Sequence, residues 1–236
     1  MYRQGGNMEF SSPEPADFVN IQSLNQAFLN YLRRPGSGKR LRQQLPPSLE
    51  QQLAGLTDLQ IRRLAKTPFL LLSLRERDDA YWSGLFTEGQ TADLFTPMQS
   101  SSDEAGPLIA ATLGYLWQLS RRNPYAVRVA CGASLNWCEH LSDCTLLHLL
   151  QRAAGRSDLL VLRLADNESL WRKLLCAGIS SEKEVRVAAQ HCALQTMLTY
   201  AHSTAYQRLQ TAACRVPAPS LQVAERLNPP SRGKKS

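Results

Sequence analysis

Residues 48 to 85 read SLEQQLAGLTDLQIRRLAKTPFLLLSLRERDDAYWSGL, and a fainter copy runs from Ser134 to Leu174. Ser48-Leu49 matches Ser134-Leu135, Leu56-Thr57-Asp58 matches Leu141-Ser142-Asp143, and Leu64 matches Leu149. Further on, Leu74-Arg75 matches Leu162-Arg163, Asp78 matches Asp166 and Trp82 matches Trp171. Upstream, Leu29-x-Tyr31-Leu32 matches Leu113-x-Tyr115-Leu116. Matches that keep their order over such a span point to tandem duplication of one module.

Within the first copy, Ser48 to Lys66 reads as two short helices with a bend at Gly55-Leu56. Thr57-x-x-Gln60 is a capping box that opens the second of them. Leu59, Ile61 and Leu64 are expected to point partly inward. Ahead of it, Ile21, Leu24, Phe28, Tyr31 and Leu32 recur at helical spacing until Pro35-Gly36-Ser37-Gly38 ends the run. The apolar runs Phe69 to Leu74 and Leu159 to Leu164 are too short for periodicity to separate strand from helix. Each leads to Arg-x-x-Asp and a tryptophan (Arg75, Asp78, Trp82; Arg163, Asp166, Trp171), a pattern that suits a structural pin with the indole covering the end of its module.

The expected fold class is therefore mainly α, a tandem repeat of a small helical module plus a long C-terminal helix. Residues 1–18 read as a disordered lead-in, 19–86 as the first module, 87–107 as a linker and 108–178 as the second module. Ser181-x-x-Glu184 opens a helix over 180–214, with Val185, Ala188, Ala189, Cys192, Leu194, Leu198 and Leu209 as its buried side. The basic tail, 215–236, carries the disorder signature of its prolines.

At 236 residues the chain has room for two such modules. No apolar run approaches the ~20 residues of a membrane helix, and no secretory leader is evident, so the expected location is cytoplasmic with no membrane partner. The net charge of +7 favours a polyanionic partner, and its placement sharpens the point. Arg33, Arg34, Lys39, Arg40 and Arg42 lie between Tyr31 and Leu49 with no acid among them. Gln60, Arg62, Arg63 and Lys66 crowd one surface of the Thr57 helix. Gly38-Lys39 fails as a phosphate loop, because Arg33 stands where the motif needs glycine and Arg40 where it needs Ser or Thr.

The pair of short helices resembles a helix-turn-helix, whose second helix offers cations and amides to a major groove. On spacing alone, an ordinary solvated face on a helical hairpin is the preferred reading. The second copy, Asp143-Cys-Thr-Leu-Leu-His-Leu-Leu-Gln151, has lost the cations and put apolar residues in several of their places, so the scaffold does not dictate the basic face. All six cysteines fall in the second half. Cys138, His140, Cys144 and His148 sit close enough in sequence to suggest zinc, but lack Cys-x-x-Cys spacing, and core packing is the preferred reading. No cofactor is expected. Scattered histidines and the lack of a nucleophile elbow argue against an enzyme.

Leu53-Ala54, Leu56-Thr57, Gln60, Leu64-Ala65, Thr67, the apolar run, Arg75 and Asp78 resemble FlhD, the small helical subunit of the flagellar master transcription activator. Leu29-Asn30-Tyr31-Leu32 resembles that family's first helix. The resemblance implies a helical protein that dimerises and acts on promoter DNA with an FlhC-like, zinc-holding partner. Divergent members in mobile elements switch on transfer genes. Two departures stand out: the family's cysteine in the apolar run, associated with an intersubunit disulfide, is Leu72 here, and the family carries one module per chain. The duplication implies a fused pseudo-dimer, with homo- or hetero-oligomeric assembly beyond it. The expected function is a transcription-regulator subunit, with Arg33, Arg34, Lys39, Arg40, Arg42, Gln60, Arg62, Arg63 and Lys66 as DNA contacts. The alternative is a cytoplasmic adaptor or secretion-apparatus component that binds proteins and not DNA.

Overall fold

A computed structural model of the chain describes residues 12–87 and 105–200. Among them the chain is mainly α, with eleven helices and a single pair of very short strands. The first half runs α1 (Pro15–Arg33), α2 (Lys39–Arg42), α3 (Pro47–Ala54), α4 (Asp58–Leu64), β1 (Leu72–Ser73) and α5 (Asp79–Thr87). The second half runs α6 (Ala105–Arg122), α7 (Pro124–Cys131), α8 (Leu135–Asp143), α9 (Leu146–Ala153), a 3-10 turn (Ser157–Leu159), β2 (Val161–Leu162) and α10 (Glu168–Cys176). Each half thus orders a long helix, three shorter ones, a strand and a final helix. α11 (Lys183–Tyr200) follows. The linker expected over 87–107 and the C-terminal segment beyond Tyr200, including the basic tail, fall mostly or wholly outside the described residues.

The chain enters its first helix earlier than the boundary at Val19 suggests. Pro15 takes the first helical position, where its missing amide is no loss, and Glu14 and Asp17 form a reciprocal capping box. The end of the expected disordered lead-in is thus the start of a helix. Ile21, Asn25, Phe28, Leu29 and Leu32 then bury one face of α1. After the helix the backbone folds back tightly at Gly38. A Cβ there would come within 2.5 Å of the Leu32 Cα, so the glycine answers to close chain packing and not to a phosphate.

The open question over the two apolar runs resolves into strands. β1 and β2 pair antiparallel, Leu72 opposite Leu162 and Ser73 opposite Val161, so each half supplies the other's only ladder partner among the described residues. Leu70, Leu71, Leu72 and Leu74 have no exposed surface. Burial of each such side chain stabilises by about 1.5–3 kcal/mol relative to leaving it in water. The run and the turn before it leave backbone groups to be satisfied from elsewhere, and Asn25 of α1, fully buried, serves three carbonyls and one amide. Its Nδ2 donates to the carbonyls of Ala65 (3.3 Å), Thr67 (3.3 Å) and Phe69 (2.9 Å), and its Oδ1 accepts from the Leu71 amide (2.8 Å).

Beside the ladder, Arg75 and Leu164 both adopt left-handed backbone, φ 53° and 49°. Trp82 and Trp171 sit under these turns. The Trp82 indole donates to the carbonyls of Leu74 and Arg75, and that of Trp171 to Arg163. Both rings are buried deep in the core instead of covering its end. The expected Arg/Asp pairing is met once, between Arg75 and Asp78 at 3.4 Å. Arg163 ignores Asp166 and pairs with Glu76 of the first half, both side chains all but fully buried. Its remaining donors reach the carbonyls of Leu70, Leu72 and Cys131. Buried hydrophobic residues of both halves therefore form one continuous core.

The element order also shifts the register of the internal match. Thr57 and Thr145 are the caps of α4 and α9, accepting from Gln60 and His148 amides respectively. The textual match had placed Ser142 opposite Thr57. α11 rotates differently from expectation as well: Ala189, Gln190, Ala193 and Met197 face inward, while Val185, Ala188 and Cys192 are exposed. Gln190 donates to the Arg63 carbonyl (3.2 Å) and Arg77 to that of Met197 (3.1 Å), and these bonds set the helix rotation.

Candidate nucleic-acid interface

Gln26, Asn30 and Arg33 recur on α1 one helical turn apart, on a half-buried flank opposite Ile21. α4 presents Asp58, Ile61 and Arg62 towards them. Between the two helices, with Arg34 and Pro35 at one end, lies a cleft of about 490 Å³. Arg33 pairs with Asp58 and also donates to the Leu56 carbonyl at 3.5 Å. Among the described residues no hydrogen bond or ion pair occupies the side chains of Gln26, Asn30 or Arg62. Lys66 is exposed just beyond the C-terminal end of α4, and Lys39 is exposed on α2.

Three of the expected contacts are otherwise engaged. Arg42 is buried, with its guanidinium donating to the Leu32 carbonyl and lying 3.9 Å from Glu50, so it ties α2 to α1 and α3 and meets no external phosphate. Arg63 turns to the second half and donates to the Ile179 carbonyl at 3.2 Å. The side-chain oxygen of Gln60 accepts from the Thr57 amide (2.8 Å), which makes it a cap and not a groove reader. Arg40 is exposed but bonds the Ser157 carbonyl at 2.7 Å, bridging α2 to the 3-10 turn. Arg33, Arg34, Lys39, Arg62 and Lys66 are exposed at this surface, Arg33 while paired with Asp58, with Arg40 at their margin.

The helical-hairpin reading and the helix-turn-helix reading both predict α3 and α4, joined through Gly55 and Leu56. Leu59 departs from both: it is 52% exposed, not inward-facing. On α9 Leu147 repeats that exposure at 53%. There, however, Leu146 and Leu150 stand where α4 has Asp58 and Arg62. At the end of α6, Arg122 is spent on Glu14 and Asp17 of α1, and Arg121 lies over the Trp117 ring at 4.9 Å.

The suggested metal set packs as core. His140 is buried edge-on against Phe86, ring centroids 4.5 Å apart, and His148 stacks on the same ring at 6.4 Å. Burial pushes both imidazoles below their ordinary 6.5, and it pushes the Cys138 thiol up. Among the described residues no group of three His, Cys, Asp or Glu side chains is placed to share a metal ion.

Asn25 and Glu76 escaped the sequence reading, and Arg163 was matched to the wrong partner, because their value depends on groups brought from distant segments. Gln26, Asn30 and Asp58 carried a usable signal, since the first two continue to Arg33 at helical spacing on the polar side of α1. The molecule is thus a mainly α protein with a guanidinium- and amide-lined cleft at one end. No family model, curated protein or solved structure matches the chain. Among the described residues no helix is long and apolar enough to cross a membrane.

Proposed function

We propose that the chain is a subunit of a transcription regulator, FlhD-like and internally duplicated, that binds promoter DNA together with an FlhC-like protein in the cytoplasm. The observation that supports this reading is the shared element order of the two halves about the β1–β2 pair, which is what an isologous dimer fused into one chain would give. The first half carries an outward cationic cleft, and α9 has leucines where α4 has Asp58 and Arg62. Phosphate contacts would come from Arg33, Arg34, Lys39, Arg62 and Lys66, while Gln26 and Asn30 supply amides suited to sugar and base edges. The adaptor reading draws its support from the exposed Leu59 and Leu147, an apolar residue at the same place on each half.

Binding of the full chain to labelled duplex DNA, with and without its co-purifying protein, separates the two. Neutralised phosphates release counterions, so log K should fall linearly with log salt. Replacing both Arg34 and Arg62 by alanine should weaken binding and reduce that slope by about two. An unchanged slope removes these arginines as phosphate contacts. Absence of duplex binding in the presence of the co-purifying protein favours the adaptor.

A further inference from the structure

We infer that Asp58 is a built-in competitor for the phosphate that Arg33 binds, so that this one carboxylate sets the affinity of the cleft for a nucleic-acid backbone. This rests on the duplex-binding reading above and adds the regulation of its site. A carboxylate and a phosphate present the same paired acceptors to a guanidinium, and they compete for one planar fork of donors. Here one nitrogen of that fork, Nη1 of Arg33, is already paired with Oδ1 of Asp58. The pair is wet, with 38% of the Arg33 side chain and 72% of the Asp58 side chain exposed, so exchange of one anion for another is cheap.

Asp58 is not needed where it stands. Thr57 caps α4, and Gln60 closes the capping box, so the helix start is satisfied without the aspartate. α9 begins with Leu146 after its own threonine cap, which shows that the same turn forms with no acid there. The carboxylate also faces the two groups that would meet the rest of the ligand, Arg62 on its own helix and the amide pair Gln26 and Asn30 across the cleft. Those two carboxamides, able both to donate and to accept, suit the sugars and base edges of a nucleic acid better than the uniform carboxylates of an acidic polypeptide.

The test uses the full chain and a short fluorescein-labelled DNA duplex, with anisotropy read from about 50 mM salt upward. Asp58→Asn should bind about two- to fivefold more tightly than wild type, the range expected for freeing one exposed ion-pair partner. Its salt slope should be steeper by about one. In an Arg33→Gln background the same change should gain nothing. Far-UV circular dichroism establishes that each variant keeps its helices. Wild-type binding with Asp58→Asn at or below wild-type affinity overturns the inference, and so does an equal gain in the Arg33→Gln background, which would reflect net charge alone. Failure of every form to bind the duplex overturns the nucleic-acid reading itself. Competition by polyglutamate as effective as by unlabelled duplex transfers the cleft to an acidic protein.

Discussion

Replacing Arg163 by methionine should cost about 3–5 kcal/mol of folding stability, the range for removing one member of a buried ion pair. The geometry places it at the upper end. Arg163 is 4% exposed and Glu76 2%, and the guanidinium also serves the carbonyls of Leu70, Leu72 (2.7 Å) and Cys131. Methionine leaves those acceptors and the carboxylate without that partner, and water has no route to replace it. Glu76→Gln is gentler, because the amide oxygen can still accept from the Ser73 hydroxyl (2.7 Å) or the Leu74 amide (3.0 Å). It should cost about 2 kcal/mol, the scale of a hydrogen bond to a charged group. The two changes together should cost less than their sum, since the first already destroys the pair. Urea unfolding followed by both circular dichroism and tryptophan fluorescence reads these values, with Trp82, Trp137 and Trp171 reporting from the core. Glu76 comes from one half and Arg163 from the other, so both probes should give a single transition. A loss below about 1 kcal/mol for Arg163→Met, strict additivity, or two separate transitions would refute the account, given the few kcal/mol expected of a buried pair.

Three further outcomes follow from local features. His140 is buried with neither ring nitrogen bonded among the described residues, and burial holds it below 6.5. The unfolded chain therefore binds a proton more readily: this contribution to stability is full above 6.5 and lost as pH falls below it, and His140→Leu should flatten the urea midpoint between about pH 7.5 and 5.5. A thiol reagent at neutral pH should label Cys176 and Cys192 in the folded protein, whereas Cys131, its thiol pushed up to about 12 by burial, and the buried Cys138 and Cys144 should react only after denaturation; peptide mapping that finds Cys131 labelled early would contradict this. Gly38→Ala should destabilise by about 1–3 kcal/mol, because its methyl would have to displace the Leu32 backbone, and an unchanged urea midpoint would refute that close approach.

How far the residues alone carry the fold is best seen at three places. The Thr57–Gln60 capping box is local, four residues long and chemically specific, and α4 starts as it dictates. The alignment of the two halves was harder to read. Leucine-rich helices match themselves when slid by one turn, so Thr57 was set against Ser142 when Thr145 is the matching cap. At the basic surface, all the guanidiniums looked alike in sequence. Burial then separated them: Arg42 went to the Leu32 carbonyl, Arg63 to Ile179 and Arg62 to the cleft.

Periodicity, caps and turn residues determined by themselves that this chain is helical, where α1 ends and α4 begins, and which stretch carries an excess of cations. These are interactions between near neighbours, and near neighbours are written side by side. Which charges face water was decided only by tertiary structure. That depends on where the carbonyls of other segments arrive, as when Glu76 and Leu72 meet Arg163 across the β1–β2 pair, and a buried polar group must take whatever partner the fold brings to it.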